Sequence, residues 1–443
     1  MLLDIALPIL LLVALLAINV PVAFSLLAAG SIGLLIVGDV SAVLSVYETS
    51  PYRSTANYLL VTVPMFILMA ELASLGGLTR SLFDAVARLF RRVDGGLGIA
   101  TVQAAGVLAA VSGSSTASAA AMARIAVPEM MRNGYSASLA MGIVSVAGTF
   151  AIMIPPSIAL VLYAVIAEVS IGRILMAGVV PGILSVLVHS LLVRFLWRHW
   201  RGARADAAAT AGAPAADGAT ASADEPVGAL LVRTVPIVLL IVAVLGGIYS
   251  GIVTPTEASA VGALGALVVG SVFGELDARR TLEALRRTAL TTTMIFAIVI
   301  GATIFGYYTT FSRGIDLFVG TVGGLPVPEW MVLGAILLAL IVLGLFMDQI
   351  AIMLLTLPVL VPIVDKLGFD LIWFGIVFVK IVEIGLVTPP VGMNVFVTAS
   401  AVKLPVEQAF RGITMLLPGE LLVLAALLAF PPLTLWLPSL MVR

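Results

Sequence analysis

Asp348 is a lone carboxylate in an otherwise apolar stretch, LGLFMDQIA at 343–351. Placing such a group in hydrocarbon costs about 2.5–3.5 kcal/mol on insertion scales, so it marks an ion or solute path, or it is held by a backbone amide at a chain reversal. Further along, EIGLVTPPVGMNVF at 383–396 sets Thr388 and Asn394 beside Pro389-Pro390. Both offer neutral oxygens, and the Asn394 amide can also donate to a carboxylate. An earlier pair of segments has the same character. VSGSSTASAAA at 111–121 is a run of small and hydroxylated residues, and IMIPPSIAL at 152–160 carries Pro155-Pro156 followed by Ser157. Proline lacks an N–H and its ring blocks the helical ladder, which leaves carbonyls unpaired. Hard monovalent cations take such neutral oxygens, and the N-terminal ends of half-helices favour an anionic carboxylate. The competing use of the small residues is close helix packing. The chemistry on offer is therefore ion and acid binding rather than covalent catalysis.

The remaining polar residues add less. Lys380 and Glu383, three apart on one helix face, suit a local ion pair that neutralises both, in preference to a gating role. Glu71, in PMFILMAELASLGG, has no local basic partner, and either bonds across a helix interface or senses ions. His189 and His199 are the only histidines and read as ordinary interface residues near a cytoplasmic helix end, too few to hold a metal. With no Cys, disulfides, thiolate metal sites and Cys nucleophiles are excluded. No GxSG is present, no GxGD accompanies Asp348, and no P-loop occurs, so neither an intramembrane protease nor an ATP-driven machine is indicated. The chain is expected not to be an enzyme, to use an ion gradient, and to need no organic cofactor.

These segments are placed by a repeat. Residues 112–178 and 346–412 match at a constant offset of 234, which superposes Pro128 on Pro362, Gly134 on Gly368, Pro155-Pro156 on Pro389-Pro390 and Gly178 on Gly412. Repeated hydrophobic segments interrupted by Pro and Gly point to a secondary transporter. Composition agrees: 61% hydrophobic and 11% charged residues, with mean hydropathy +1.19, describe an integral membrane protein. Apolar segments near the roughly 20 residues needed to span a ~30 Å core require an all-α polytopic bundle and exclude a β-barrel. Crossings are predicted at about 4–20, 22–38, 58–76, 137–167, 174–197, 232–250, 257–273, 290–311, 371–402 and 413–430.

Two further apolar pairs, 96–131 and 330–365, are predicted as re-entrant hairpins. Arg80, Arg88, Arg91 and Arg92 precede the first, and Arg124 and Arg132 close it, which puts both its ends in the cytoplasm. Its tip is Ser112-Gly113-Ser114-Ser115; the second tip is Met347-Asp348-Gln349. Arg279, Arg280, Arg286 and Arg287 mark an amphipathic surface helix before the crossing at 290–311. The chain thus divides into a first repeat at 1–201, a flexible Ala/Gly/Ser/Thr-rich cytoplasmic linker at 202–229, and a second repeat at 230–443. Five crossings in the first half invert the second. The fold class is an all-α membrane protein with inverted repeats, two re-entrant hairpins and two discontinuous helices.

The hairpin VSGSSTASAAAMARIAVPEMMRNGY, the segment AGTFAIMIPPSIALVLYAVIAEVSIGRILMAGVVPGIL, the loop GGIYSGIVTPTEASAVGA at 246–263 and the run from Met347 to Val397 together resemble the large permease subunit of a TRAP (tripartite ATP-independent periplasmic) transporter. The resemblance covers nearly the whole chain. It implies a multi-pass protein of the bacterial inner membrane that imports organic acids with Na+ by an elevator movement. It also implies as partners a small four-helix membrane subunit and a periplasmic solute-binding protein, within the lipid bilayer and without nucleic acid. Carried onto this sequence, one sodium site involves Ser112, Gly113, Ser114, Pro155 and Ser157, and the other Asp348, Gln349, Thr388 and Gly392. The solute carboxylate falls between the tips, with Ser114, Ser115, Thr116 and Asn394. Lys380, close to the second site, departs from the expected charge balance, and the 202–229 linker is longer than expected. The alternatives are a standalone ion-coupled dicarboxylate or anion carrier of the same architecture, and a channel.

Overall fold

The computed structural model describes residues 2–18, 20–90, 92–211, 227–314, 320 and 328–441, and among these the regular elements are all helical. Arg91 and linker residues 212–226 lie outside the described residues. The helices are α1 (Leu2–Ala17), α2 (Val22–Val37), α3 (Val40–Thr55), α4 (Thr62–Leu75), α5 (Leu78–Leu89), α6 (Gly96–Ser112), α7 (Ser115–Arg132), α8 (Ala137–Met153), α9 (Ile158–Ile166), α10 (Ile171–Ala211), α11 (Val227–Tyr249), α12 (Pro255–Val272) and α13 (Ala278–Phe311). They continue as α14 (Glu329–Phe346), α15 (Gln349–Lys366), α16 (Leu371–Val387), α17 (Met393–Val402), α18 (Val406–Ala429) and α19 (Pro432–Ser439). Among the described residues, seven helices are long and apolar enough to cross a membrane, or up to eight if the bent α8–α9 pair is one span.

The repeat seen in the sequence recurs in the helix boundaries. Ser115–Arg132 and Gln349–Lys366 begin and end at the 234-residue offset, as do Ala137–Met153 and Leu371–Val387. Both helix pairs stand at the expected positions in the chain, broken at Gly113-Ser114 and at Met347-Asp348. Both long segments are broken at their prolines: α8 and α9 are bent by 42° across Ile154–Ser157. A residue preceding proline is disfavoured in the α conformation, which ends the first half-helix, and a missing N–H is harmless once the ladder is open. The Pro155-Pro156 and Pro389-Pro390 peptide bonds are both cis.

Three expectations are corrected. Val40–Thr55 is helical although no element was expected there; Asp39 caps it, accepting from the Ala42 N–H at 2.8 Å. The surface helix around Arg279–Arg287 and the crossing at 290–311 form one continuous helix, α13, because no Gly or Pro intervenes between Glu275 and Ile300. The linker is shorter than 202–229, since α10 runs on through Ala211 and α11 starts at Val227.

Two layers result. In the outer one, α2 packs on α1 and α13, α4 on α12 and α13, and α11 on α12. These helices carry exposed apolar side chains such as Leu10, Phe24, Leu239, Leu264 and Leu282, a lipid-facing pattern. In the inner layer α8 and α16 are central: every residue from Leu139 to Met153 and from Ile372 to Val387 is buried. The hairpin α6–α7 embraces α8, and α14–α15 embraces α16. Each repeat also reaches into the other, α17 packing along α7 and α15 along α9. Gly142 and Gly412 bring α8 and α18 into backbone contact, a crossing so close that a methyl group on Gly412 would overlap the Ser138 carbonyl.

Candidate functional site

The first tip is built by a reversal that needs glycine. Gly113 ends α6 with φ +61°, the left-handed region, and its α-carbon faces the start of α9, where an added methyl would meet Ile158 Cδ1 at 3.1 Å. The Ser112–Ser115 tip is thereby laid against the first break. Ser114 caps α7, its Oγ accepting from the Ala117 N–H at 3.4 Å, while Ser112 Oγ donates to the Ser114 carbonyl at 3.2 Å. Thr116 Oγ1 lies 3.4 Å from Ser114 Oγ. Ser115 is buried, and the tip's other members are half-buried. Across from them Pro155, Pro156 and Ser157 are buried, and Ser157 Oγ accepts from the Leu160 N–H at 3.3 Å while donating to the Ile152 carbonyl. Ser157 thus restarts the broken helix and has little hydrogen-bonding capacity left.

The second tip repeats the plan with a carboxylate. Asp348 caps α15 by accepting, through Oδ1, from the Ile350 N–H at 3.0 Å and the Ala351 N–H at 3.2 Å. The backbone-amide role that the sequence left open is therefore realised through one carboxylate oxygen. Gln349 follows it, buried, with Nε2 lacking a hydrogen-bond partner. At the second break Thr388 Oγ1 donates to the Ile384 carbonyl at 2.6 Å, and Gly392 turns the chain with φ +51°. Gly344 and Gly385, each three residues before its own discontinuity, put α14 and α16 in backbone contact. Among the described residues no hydrogen bond joins Asp348 or Gln349 to Thr388 or Asn394.

Asn394 is the least satisfied of the expected site residues. It is fully buried in the first turn of α17, and neither Oδ1 nor Nδ2 has a partner. Thr398, one turn on, and Ser118 on the facing α7 are likewise buried with unpartnered hydroxyls. Neither residue stands out as a site residue in the sequence. The signal for Thr398 was its i+4 spacing from Asn394; Ser118 was hidden inside a small-residue run. An unsatisfied buried polar group costs about 1–3 kcal/mol, and Asn394, Thr398 and Ser118 each carry one. The set of neutral oxygens and one amide fits a weakly held monovalent cation and a carboxylate.

The breaks differ in one respect. Pro155 and Pro156 are buried, whereas Pro389 and Pro390 are exposed.

The Lys380–Glu383 pair forms, Nζ to Oε2 at 3.1 Å, with both side chains wholly buried. Glu420 on α18 is also in ion-pair contact with Lys380, and Ser185 on α10 accepts from Nζ at 3.3 Å. His189, expected as an ordinary interface residue near a helix end, is buried beside Glu420; the His199 side chain lies outside the described residues. Glu71 has a partner after all, Arg287 of α13 at 3.8 Å, contributed by the helix that packs against α4.

Residues 9–433 match the family described as the tripartite ATP-independent periplasmic transporter, DctM component. The chain is 35% identical over 394 residues to the C4-dicarboxylate TRAP transporter large permease protein DctM of Pseudomonas aeruginosa, covering 88% of each. It is 31% identical to the 2,3-diketo-L-gulonate TRAP transporter large permease protein YiaN of Escherichia coli, covering 90% of each. With the sialic acid TRAP transporter large permease protein SiaM of Vibrio cholerae it shares 30% identity over 87% of each. Its fold is similar to that of the YdaH transporter of Alcanivorax borkumensis, with a TM-score of 0.61, 18% identity and 98% of each chain covered.

Proposed function

Since this chain belongs to the DctM family of tripartite ATP-independent periplasmic transporters, as a large permease subunit and multi-pass inner-membrane protein, we propose that it drives uptake of an organic acid with sodium. The observation that carries this is Asn394. A buried amide with both polar atoms unpartnered, on the half-helix packed along the first hairpin, supplies an N–H donor for a carboxylate and an oxygen for a cation.

One sodium site is made from Ser112, Gly113 and Ser114 with Pro155 and Ser157, the other from Asp348 and Gln349 with Thr388 and Gly392. The solute carboxylate is held between the tips by Ser114, Ser115, Thr116 and Asn394. Backbone carbonyls released at the proline breaks complete the cation sites, and the N-termini of α7, α15 and α17 face the anion. Downhill sodium entry supplies the driving energy. C4-dicarboxylate, diketogulonate and sialic acid, the solutes in the relatives' names, are all acids, which supports an organic acid as the solute.

The inner layer moves as the carrying body against α1–α4 and α11–α13 in an elevator movement. Its partners are a small four-helix membrane subunit that extends the outer layer and a periplasmic binding protein that delivers the solute. The decisive experiment is uptake of labelled organic acids by proteoliposomes holding this chain and its small subunit. Uptake that requires both an inward sodium gradient and the binding protein supports the assignment. Uptake without the binding protein identifies a standalone carrier, and unsaturable flux without a sodium gradient a channel.

A further inference from the structure

Four ionisable side chains meet at the junction of the two repeats: His189 on α10, Lys380 and Glu383 on α16, and Glu420 on α18, each 1% exposed or less. His189 Nδ1 lies 2.8 Å from the Ser185 carbonyl oxygen. That oxygen can only accept, so Nδ1 carries a hydrogen. Nε2 then points toward Glu420 Oε1 at 3.4 Å. In a neutral ring Nε2 presents a lone pair, and a carboxylate oxygen presents another. The approach is favourable only with a proton between them, on either atom.

The charge balance gives the same result. Lys380 offsets one of the two carboxylates, and the cluster without a further proton holds one uncompensated negative charge in a buried interior. With the proton it is neutral. Among the described residues, the charged groups that act on His189, Lys380 and Glu383 are members of the cluster itself. Neither α6, α8 nor α19 carries an ionisable side chain, and α8 offers His189 only the Phe150 ring, at 5.6 Å. The Tyr163 hydroxyl on α9 is engaged with the Leu371 carbonyl. Glu407 and Arg411 on α18 stand about two and a half turns or more from Glu420.

We propose that this tetrad is a buried proton-binding site, holding one exchangeable proton between His189 Nε2 and Glu420 Oε1, and that its occupancy ties α10 of the first repeat to α16 and α18 of the second. On release the proton passes to water, leaving a carboxylate and a neutral ring whose lone pairs repel and loosen the α10–α18 contact. Transport thereby responds to protons.

The two histidines make the site directly observable. In the full chain carrying His199→Gln, His189 is the sole ring, and isotope-labelled histidine reports its protonation by NMR in detergent, independently of any transport activity. The ring signal is expected to pass through one transition with pH, with Nδ1 keeping its hydrogen. Glu420→Gln abolishes that transition or moves it to lower pH, because the proton is no longer needed for neutrality. Should that variant not fold, Glu383→Gln removes the same unit of charge and shifts the transition to lower pH. A ring signal that does not move with pH, or one that titrates identically with and without these substitutions, overturns the proposal.

Discussion

Lys380→Met keeps the length and apolar stem of the side chain and deletes the cation between Glu383 and Glu420. At an effective dielectric of about 20, an ion pair at the 3.1 Å seen for Lys380 and Glu383 attracts by about 5 kcal/mol, so the substitution removes a large favourable term and leaves a buried negative charge. The loss has a ceiling, because a stranded carboxylate can escape by taking up a proton. Protonating a glutamate costs about 1.4 kcal/mol for each pH unit above its ordinary value near 4.3, hence about 4 kcal/mol at pH 7 and about 1 kcal/mol at pH 5. In the variant the folded protein binds a proton that the unfolded chain lacks across this range, so its stability deficit grows as pH rises and shrinks as pH falls.

Denaturant unfolding in detergent micelles, followed by tryptophan fluorescence, measures the deficit. At pH 7 the ratio of folded to unfolded protein drops by up to about 10³-fold. Adding Glu383→Gln to Lys380→Met removes one negative charge along with the cation and recovers most of the loss. A deficit of the same size at both pH values, or a double variant no more stable than the single one, would refute the charge accounting.

Asp348→Ala removes the cap of α15 and lowers stability by about 1 kcal/mol, whereas Asp348→Asn retains the cap; both lose sodium-stimulated uptake, and proteoliposome flux together with unfolding separates the two roles. Asn394→Leu deletes an unsatisfied buried amide at similar volume, and is expected to raise stability by about 1–3 kcal/mol while abolishing uptake, read by thermal unfolding and flux on one preparation. Gly412→Ala drives a methyl into the Ser138 carbonyl, which as backbone cannot step aside, and costs about 1–3 kcal/mol in an unfolding assay; the same change at Gly251, which has open space around it, serves to separate backbone strain from close approach.

The elements that sequence analysis located best are those set by chain-breaking residues, since Pro and Gly act through local sterics that need no tertiary partner. The hairpins expected at 96–131 and 330–365 fall at Gly96–Arg132 and Glu329–Lys366. The element it missed, Val40–Thr55, contains Glu48, Pro51 and Arg53, and its helicity rests on packing against α13, a partner remote in sequence. Residues around the candidate site divide along the same line. Lys380 and Glu383 were paired because they share one helix. Glu420, on another helix, was overlooked although an isolated carboxylate in an apolar helix is the very feature that marked Asp348. His189 read as an ordinary interface residue, because its contact with Glu420 depends on how α10, Ile171–Ala211, is set against α18, which no local pattern encodes.

The packing of the two repeats is crossed. Because α17 rests on the first hairpin and α15 on the first broken helix, neither hairpin can shift without disturbing the other's support. The tetrad adds a link between α10, α16 and α18. Inverted repeats that were equivalent in every state would leave both breaks equally sheltered, yet Pro155-Pro156 is buried and Pro389-Pro390 is exposed. An alternating carrier built from inverted repeats requires such inequality, since opening toward one side is the exchange of the two repeats' conformations. A cysteine at Pro390 should therefore react readily with a water-soluble thiol reagent and one at Pro156 slowly, with the ranking reversing when the carrier is trapped in its opposite state. Equal labelling in every state would mean that the difference in exposure is fixed by sequence and has no part in transport.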